Sequence, residues 1–290
     1  MEIDMSEFLS ALKADIQYAA PQKLLTKTAG FFAGSRMGPV TTFAIKRFIS
    51  HYHVDMSECE KQDPAQYATF NEFFTRPLRA GARPLDPDPR AVLSPSDGTK
   101  SASGTVTAGT LIQAKGQDFS LASLLGGNPE LCRPFEGGTY FTVYLSPANY
   151  HRVHMPLEGR LTALSYIPGK LFSVNLNTAA HIRGLFARNE RACAFFDTPR
   201  GKMCLVLVGA MIVGSIETVW KGEVNGGHGS TPFEEEYEGE RSITLARGAE
   251  MGRFKLGSTV ITLFERGMAD ECQLEPGTKV RAGQRAASLR

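Results

Sequence analysis

The sequence predicts an α+β fold in which a helical N-terminal segment precedes a β-rich core of barrel or sandwich character. Two observations predict it. Up to about residue 54, apolar residues recur at helical spacing. Beyond residue 92, short apolar runs alternate with turns that contain Gly or Pro. We therefore expect residues 1–60 to form the helical segment and residues 61–290 to form one β-rich domain.

Three helical stretches are expected in the N-terminal segment. Residues 5–20 carry apolar residues four positions apart and stop before Pro21. A second apolar stretch ends at Gly34, and a third begins just after Pro39. The apolar stripe of the third stretch consists of Val40, Phe43, Ala44, Phe48 and Tyr52.

The same segment is basic and lacks acids. Between Ile16 and Val54 there is no Asp or Glu, and the cations are Lys23, Lys27, Arg36, Lys46 and Arg47. A basic amphipathic stretch is typical of a membrane-surface anchor, in which each cation near an anionic leaflet adds about 1 kcal/mol. A helical cap that packs on the core and leaves its basic face in water has the same pattern. The sequence leaves both interpretations open.

The rest of the chain is predicted to be mostly strands. Residues 55–92 have the composition of a linker with turns, and the prolines of Arg83 to Pro89 exclude a regular helix there. Asn175 to Arg188 has helical spacing, and the tail at 275–284 has the pattern of a tight turn. The predicted strands are Thr139 to Leu145, Arg160 to Ile167, Met203 to Val208, Met211 to Val219 and Ser258 to Phe264.

Composition excludes several classes of protein. A net charge of +2 is too small to indicate a nucleic-acid partner. The five cysteines are scattered without a Cys-x-x-Cys pair, which favours a reducing compartment over a disulfide framework. The N-terminus carries acids where a secretory signal would be basic, and the longest uncharged run, 203–216, is too short to span a bilayer.

Three turn-like segments carry side chains that suit nucleophilic catalysis. Asp97 lies in Ser-Pro-Ser-Asp-Gly, His154 in Tyr-His-Arg-Val-His-Met-Pro, and Ser258 in Leu-Gly-Ser-Thr. A serine hydroxyl becomes nucleophilic when an imidazole accepts its proton and a carboxylate orients the imidazole. One outcome is a Ser-His-Asp hydrolase, although no Gly-x-Ser-x-Gly elbow is present.

No metal site is predicted from the histidines. On a regular strand His151 and His154 would point to opposite faces, and no nearby cysteine or carboxylate completes a ligand set. The Gly-rich stretch 225–230 suits a mobile loop and lacks the Gly-Lys-Ser/Thr ending of a phosphate-binding loop.

With these three segments the chain resembles the phosphatidylserine decarboxylases, pyruvoyl-dependent enzymes that cut their own chain before a serine. The resemblance runs in order from about residue 70 to residue 264. The other segments that carry it are Phe70 to Pro77, Leu171 to Asn175, Asn189 to Arg191, Val208 to Ala210 and Glu250 to Phe254. Phe70, Phe73 and Phe74 lie at helical spacing, so we assign them to core packing.

The resemblance implies self-cleavage between Gly257 and Ser258, giving a large chain, 1–257, and a small chain, 258–290. Ser258 would become a pyruvoyl cofactor that forms a Schiff base with phosphatidylserine and yields phosphatidylethanolamine. Asp97 and His154 would activate Ser258. His151 is the candidate acid that protonates the product, because histidine titrates near neutral pH.

The resemblance also implies a setting for the enzyme. The two chains would stay together, the pair would dimerise, and the protein would lie on the cytoplasmic face of the cell membrane. The alternatives are the hydrolase and a non-catalytic, membrane-binding, β-rich adaptor. Either alternative would remain one uncut chain.

Overall fold

The computed structural model describes residues 17, 21–114, 117–210, 215–224, 231–255 and 258–290. The described residues form helices at the N-terminus and on one face of a large sheet, and strands elsewhere. The α-helices are α1 (Gln22–Gly34), α2 (Pro39–Tyr52), α3 (Phe70–Phe74), α4 (Leu121–Leu125), α5 (Pro129–Cys132), α6 (Leu176–His181) and α7 (Leu185–Arg188). Short 3-10 helices cover Pro64–Gln66, Arg133–Phe135 and Gly239–Arg241.

The strands follow the chain from residue 91 onwards. They are β1 (Ala91–Leu93), β2 (Gly98–Thr105), β3 (Thr110–Ala114), β4 (Gln117–Ser120), β5 (Thr139–Leu145), β6 (Arg152–His154), β7 (Gly159–Ile167), β8 (Arg191–Thr198), β9 (Gly201–Val208), β10 (Ser215–Thr218), β11 (Gly222–Glu223), β12 (Phe233–Glu236), β13 (Ile243–Leu245), β14 (Glu250–Lys255), β15 (Ser258–Phe264), β16 (Lys279–Val280) and β17 (Arg285–Ser288). The α+β prediction is confirmed.

A nine-stranded antiparallel sheet forms the centre of the fold. Its order is β12-β7-β8-β9-β15-β5-β2-β16, and β13 also pairs with β7. A four-stranded sheet has the order β11-β10-β14-β6, and β1-β17 and β3-β4 form separate ladders. Among the described strands the large sheet stays open, so the core has layers and does not close into a barrel.

Both faces of the large sheet are buried. In β15, Val260 and Phe264 face one hydrophobic cluster, while Ile261 and Leu263 face another. The first cluster includes residues of the four-stranded sheet, such as Val153 and Phe254, and the second includes residues of α4 to α7. Residues that alternate along a strand point to opposite faces, so a strand buried on both sides is continuously apolar.

The N-terminal helices agree with the apolar spacing. Pro21 precedes α1, and Pro39 occupies the first turn of α2, where its missing N–H is not needed. Helix α2 buries Ile45 against Phe73 of α3. The helix expected over 5–20 lies outside the described residues except for Gln17. No helix in the described ranges is both long enough and apolar enough to cross a membrane.

Several predictions needed adjustment. The helix expected over 175–188 is two helices, because Gly184 adopts a left-handed conformation (φ +63°) between α6 and α7. The segment at 55–92 is predicted as a linker, yet it holds α3, whose Phe73 and Phe74 are buried as expected. The strand predicted from 211 is described only as β10, and the Gly-rich stretch 225–230 lies outside the described residues.

Candidate active site

Ser258 is the first residue of β15 and lies in the interior. It pairs with Leu145 of β5 and has no solvent-exposed surface. Its hydroxyl has no hydrogen-bond partner among the described residues. A buried polar atom without a partner costs about 1–3 kcal/mol, and such atoms often mark functional sites. Gly257, the residue before it, lies outside the described residues.

Asp97 lies on the opposite side of β5 from Ser258. Thr99 of β2 pairs with Tyr144 of β5, which brings the Asp97–Gly98 turn beside Leu145. A Cβ at Gly98 would lie 2.3 Å from the carbonyl oxygen of Tyr144, so only glycine allows this approach. Two strand spacings, about 10 Å, therefore separate the backbones that carry Asp97 and Ser258.

The Asp97 carboxylate is held by a cation and by a backbone amide. Arg83 donates from Nε to Oδ1 at 2.8 Å and from Nη2 to Oδ2 at 2.5 Å. The amide of Ala282 donates to Oδ1 at 2.9 Å, and Arg83 also pairs with Glu58 at 2.9 Å. Bidentate Arg–carboxylate pairs fix geometry strongly, so both oxygens of Asp97 are occupied by partners other than a histidine.

His154 is oriented by a carbonyl and a phenol. Its Nδ1 lies 2.9 Å from the carbonyl oxygen of Gly248, and its Nε2 lies 3.0 Å from the hydroxyl of Tyr150. Because a carbonyl can only accept, Nδ1 carries the proton and Nε2 accepts from Tyr150. Burial lowers the pKa of His154. The backbone N–H of His154 donates to Pro95 at 2.7 Å, which fixes β6 to the Asp97 turn.

His151 directly precedes β6, and its ring contacts Ser146, the residue that follows the strand partner of Ser258. Its ring is fully buried and stacks on Phe74, with centroids 4.0 Å apart. Its Nε2 is 3.1 Å from the carbonyl oxygen of Ser146, the residue after Leu145. Burial, followed by the charge of Arg76, lowers the pKa of His151 to about 3. The imidazole is therefore neutral at pH 7.

A polar cavity of about 410 Å³ opens beside Asp97 and Tyr150. It lies between the end of α2, the Asp97 turn, the 146–150 loop and β16. Its walls include Tyr52, Arg76, Arg83, Asp97, Ser146 and Tyr150.

Asn189 joins three of the segments on which the resemblance rests. Its side-chain amide donates to the carbonyl of Phe172 at 2.8 Å and to that of Gly209 at 2.9 Å. Gly209 directly follows Val208, which pairs with Thr259 of β15. The loop at 171–175 is thereby fixed near the strand that begins with Ser258.

The structure brings the predicted residues to one region but not into a hydrogen-bonded triad. Within the part of the chain that the structure describes, Asp97, His154 and Ser258 make no side-chain hydrogen bond to one another. Sequence reasoning missed Arg83 and Tyr150 as partners of Asp97 and His154. Tyr150 precedes the first histidine of its motif, a signal that was available, whereas Arg83 stands in an apparent linker.

These features define an α+β protein in which a buried serine and two buried or partly buried histidines lie near a polar cavity whose wall includes an Arg-bound aspartate. A family model described as phosphatidylserine decarboxylase matches residues 70–288, and a second, described as PSD, matches residues 12–53. The chain belongs to the phosphatidylserine decarboxylase family, whose members are carboxy-lyases.

Curated relatives cover nearly the whole chain. A phosphatidylserine decarboxylase proenzyme of Alteromonas mediterranea is 50% identical over 282 residues, which are 97% of this chain and 87% of the relative. The proenzyme of Pseudoalteromonas atlantica is 48% identical over 96% of this chain and 98% of the relative. That of Pseudoalteromonas translucida is 49% identical over 97% of this chain and 99% of the relative.

Proposed function

We propose that the chain decarboxylates phosphatidylserine to phosphatidylethanolamine, using a pyruvoyl group made by self-cleavage between Gly257 and Ser258. The observation that carries this proposal is the Ser258 hydroxyl, buried without a described partner at the start of a central strand. A buried hydroxyl suits attack on the adjacent peptide bond. The chain also lacks a Gly-x-Ser-x-Gly elbow, which disfavours the hydrolase.

The proposed self-cleavage begins when Ser258 Oγ attacks the carbonyl carbon of Gly257 and loses its proton to a base. The peptide C–N bond breaks, leaving an ester and a free amine on residue 258. Removal of the α-proton then expels the Gly257 carboxylate and leaves dehydroalanine. Water replaces the nitrogen, ammonia departs, and a pyruvoyl group caps the small chain, 258–290.

His154 is the proposed base for this step. With its proton on Nδ1, its lone pair is on Nε2, the atom that now accepts from Tyr150. The Gly248 carbonyl holds the tautomer, a role that the triad scheme gives to the aspartate. Burial lowers the pKa of His154, whereas the Gly248 carbonyl, the charge of Glu250 and, to a smaller extent, the charge of Asp97 favour the imidazolium. Asp97 thus assists His154 through the electric field.

The pyruvoyl group would supply a ketone that condenses with the substrate amine and accepts the electrons left as carbon dioxide departs. Ser258 is the residue that would carry it. The buried walls around β15 exclude water from that position. His151, next to the partner strand of Ser258, is proposed to deliver the proton to the product carbon.

The N-terminal helices are proposed to bind an anionic membrane surface on the cytoplasmic face. Helices α1 and α2 leave large apolar side chains in solvent, including Leu24 (64% exposed), Phe31 (71%) and Phe43 (67%). Lys27, Lys46 and Arg47 are exposed on the same two helices. Exposed apolar and basic groups together match a bilayer of anionic lipids.

Intact-mass analysis of the purified protein, with phosphatidylethanolamine measured after incubation with phosphatidylserine vesicles, tests the proposed function. We expect two chains that divide at residue 257, the shorter blocked by pyruvoyl, together with product formation. A single uncut chain that makes no phosphatidylethanolamine would reject it. An uncut chain that reacts with a fluorophosphonate probe would favour the hydrolase.

A further inference from the structure

Arg76 is a buried cation without a carboxylate partner. Its side chain is 3% exposed, and none of the ion pairs among the described residues includes it. Nη2 donates to the carbonyl oxygens of Ala148 at 2.9 Å and Asn149 at 3.3 Å. Nε is buried and has no hydrogen-bond partner within the described ranges. Neutral carbonyls satisfy some donors but leave the charge uncompensated.

Four side chains that interact with Arg76 are neutral: Phe73, Cys59, Tyr67 and His151. The guanidinium lies 5.1 Å from the ring centroid of Phe73. Burial raises the pKa of the Cys59 thiol and raises that of Tyr67 to about 12, while His151 is neutral because its pKa is about 3. An isolated buried charge is costly unless an anion binds it, so the surroundings of Arg76 favour an anionic ligand.

Arg76 forms part of the wall of the polar cavity, where cations outnumber acids. Four cations (Arg76, Arg83, Lys279 and Arg281) line it against three carboxylates (Asp55, Glu58 and Asp97). Arg83 is paired with Asp97 and Glu58, and Arg281 is paired with Glu58. Lys279 is exposed and forms no ion pair with a described residue. Asp55 also forms no ion pair with a described residue, so the net surplus is one positive charge, and Arg76 and Lys279 are the lining cations without a carboxylate partner.

The reaction indicates which anion Arg76 should hold. A substrate carboxylate paired with a buried guanidinium would be stabilised in the ground state and not in the transition state, where its charge moves away from the carboxyl group. The phosphodiester keeps its charge throughout, so binding it positions the substrate without raising the barrier. A volume of about 410 Å³ lies within the range of small-ligand sites.

We propose that Arg76 binds the phosphodiester of an aminophospholipid headgroup in the polar cavity. This rests on the proposed function, which supplies the substrate. The location supports it, because the same cavity is lined by Ser146, whose carbonyl contacts His151 and which directly follows the strand partner of Ser258. A headgroup held at Arg76 would thus lie beside both residues.

Such binding has a consequence for His151. Its pKa is lowered first by burial and then by the positive charge of Arg76. The other neighbours of the ring are the Phe74 side chain and the carbonyl of Ser146, neither of which is charged. A phosphodiester on Arg76 offsets that charge, so headgroup binding raises the pKa of His151 and favours the protonated form that the decarboxylation needs.

The test uses the uncut Ser258→Ala protein, which needs no turnover, and NMR titration with sn-glycero-3-phosphoethanolamine, inorganic phosphate and ethanolamine. We expect the glycerophosphodiester to bind most tightly. Arg76→Gln should weaken its binding at least about tenfold. Arg79→Gln, an exposed cation three residues along, is the matched control and should bind as the parent does.

Three results would overturn the proposal: no binding to the parent, equal binding to Arg76→Gln, or equal affinity for inorganic phosphate, which would indicate a general anion site. If Arg76→Gln melts before the titration, Arg76→Lys keeps the charge without the planar fork and should still lose affinity. In the parent, the pKa of His151 should rise when the ligand binds, and an unchanged pKa would count against the proposal. Failure of self-cleavage in the wild-type chain would affect only the proposed function.

Discussion

Arg83 and Asp97 form a bidentate pair, with hydrogen bonds of 2.8 and 2.5 Å, in a largely buried position. Asp97 also accepts from the amide of Ala282, which belongs to the small chain of the proposed cleavage. Arg83 therefore holds the carboxylate that connects the two proposed chains. The charge of Asp97 is also one of those that favour the His154 imidazolium, after that of Glu250.

Arg83→Gln should destabilise the uncut Ser258→Ala protein by about 3 kcal/mol, because it leaves a buried carboxylate unpaired. In the wild-type background it should also slow self-cleavage. Urea unfolding and gel bands measure the two effects. Arg290→Gln breaks the exposed pair with Asp270 and should change the free energy of unfolding by no more than about 1 kcal/mol. Equal effects of the two substitutions would contradict this role of Arg83.

Ser258→Ala should give one uncut, inactive chain, since it removes the nucleophile. When it is added to an uncut Asp97→Asn protein, Ser258→Ala should also raise the free energy of unfolding by about 1–2 kcal/mol. The reason is that it removes a buried hydroxyl without a partner among the described residues. Intact mass and urea unfolding provide the measurements. Cleavage at the normal position in Ser258→Ala would refute the assignment.

Substitution of His154 and substitution of His151 should impair different steps. His154→Ala should block self-cleavage, because it removes the proposed base. His151→Ala should cut more nearly normally and then decarboxylate slowly. Gel bands and phosphatidylethanolamine formation distinguish these defects. If only His151→Ala stays uncut, the roles are reversed.

Tyr150→Phe removes the hydroxyl that donates to His154 Nε2 and should leave self-cleavage intact. Burial is the main reason for the low pKa of His154, and the Tyr150 bond adds to it by stabilising the neutral ring. Its loss should raise the pKa of His154. NMR titration in the Ser258→Ala background measures the pKa. A block as complete as that of His154→Ala would instead make Tyr150 a proton relay.

Acid should destabilise the protein through His151. The pKa of this histidine is about 3 in the folded state and about 6.5 when unfolded, so the unfolded state binds more protons between these values. Stability is fully present above pH 6.5 and falls by up to about 1.4 kcal/mol per pH unit below it. Urea unfolding of Ser258→Ala at pH 7.5 and 5 should show this loss.

His151→Gln should reduce that pH dependence, whereas His51→Gln, at an exposed histidine, should not. His154, whose pKa is also lowered, accounts for a remaining part. An unchanged slope in His151→Gln would contradict the buried neutral imidazole.

How well a feature could be predicted from the sequence depends on how far apart in the chain the interacting residues lie. Helix α2 was predictable because its apolar face repeats within the element and is stopped by local residues. The partner of Asp97 was not, since Arg83 is fourteen positions away in a proline-rich stretch that has no periodicity. The stacking of Phe74 on His151 was missed for the same reason: helical spacing indicated burial but not the ring that covers it.

The last prediction concerns the basic helices. Changing Lys23, Lys27, Arg36, Lys46 and Arg47 together to Gln should weaken binding to anionic liposomes, and binding by the parent should fall as salt rises, since exposed charges are screened over about 8–10 Å. Self-cleavage should survive, because its residues lie elsewhere. The control is an equal loss of charge at exposed cations outside these helices: Arg133, Arg183, Lys202, Arg241 and Arg290, each changed to Gln. If the helices themselves bind the membrane, only the first variant should lose liposome binding. If net charge alone matters, both variants should lose liposome binding equally. Co-sedimentation indifferent to salt and to the first set would show that the helices are a structural cap.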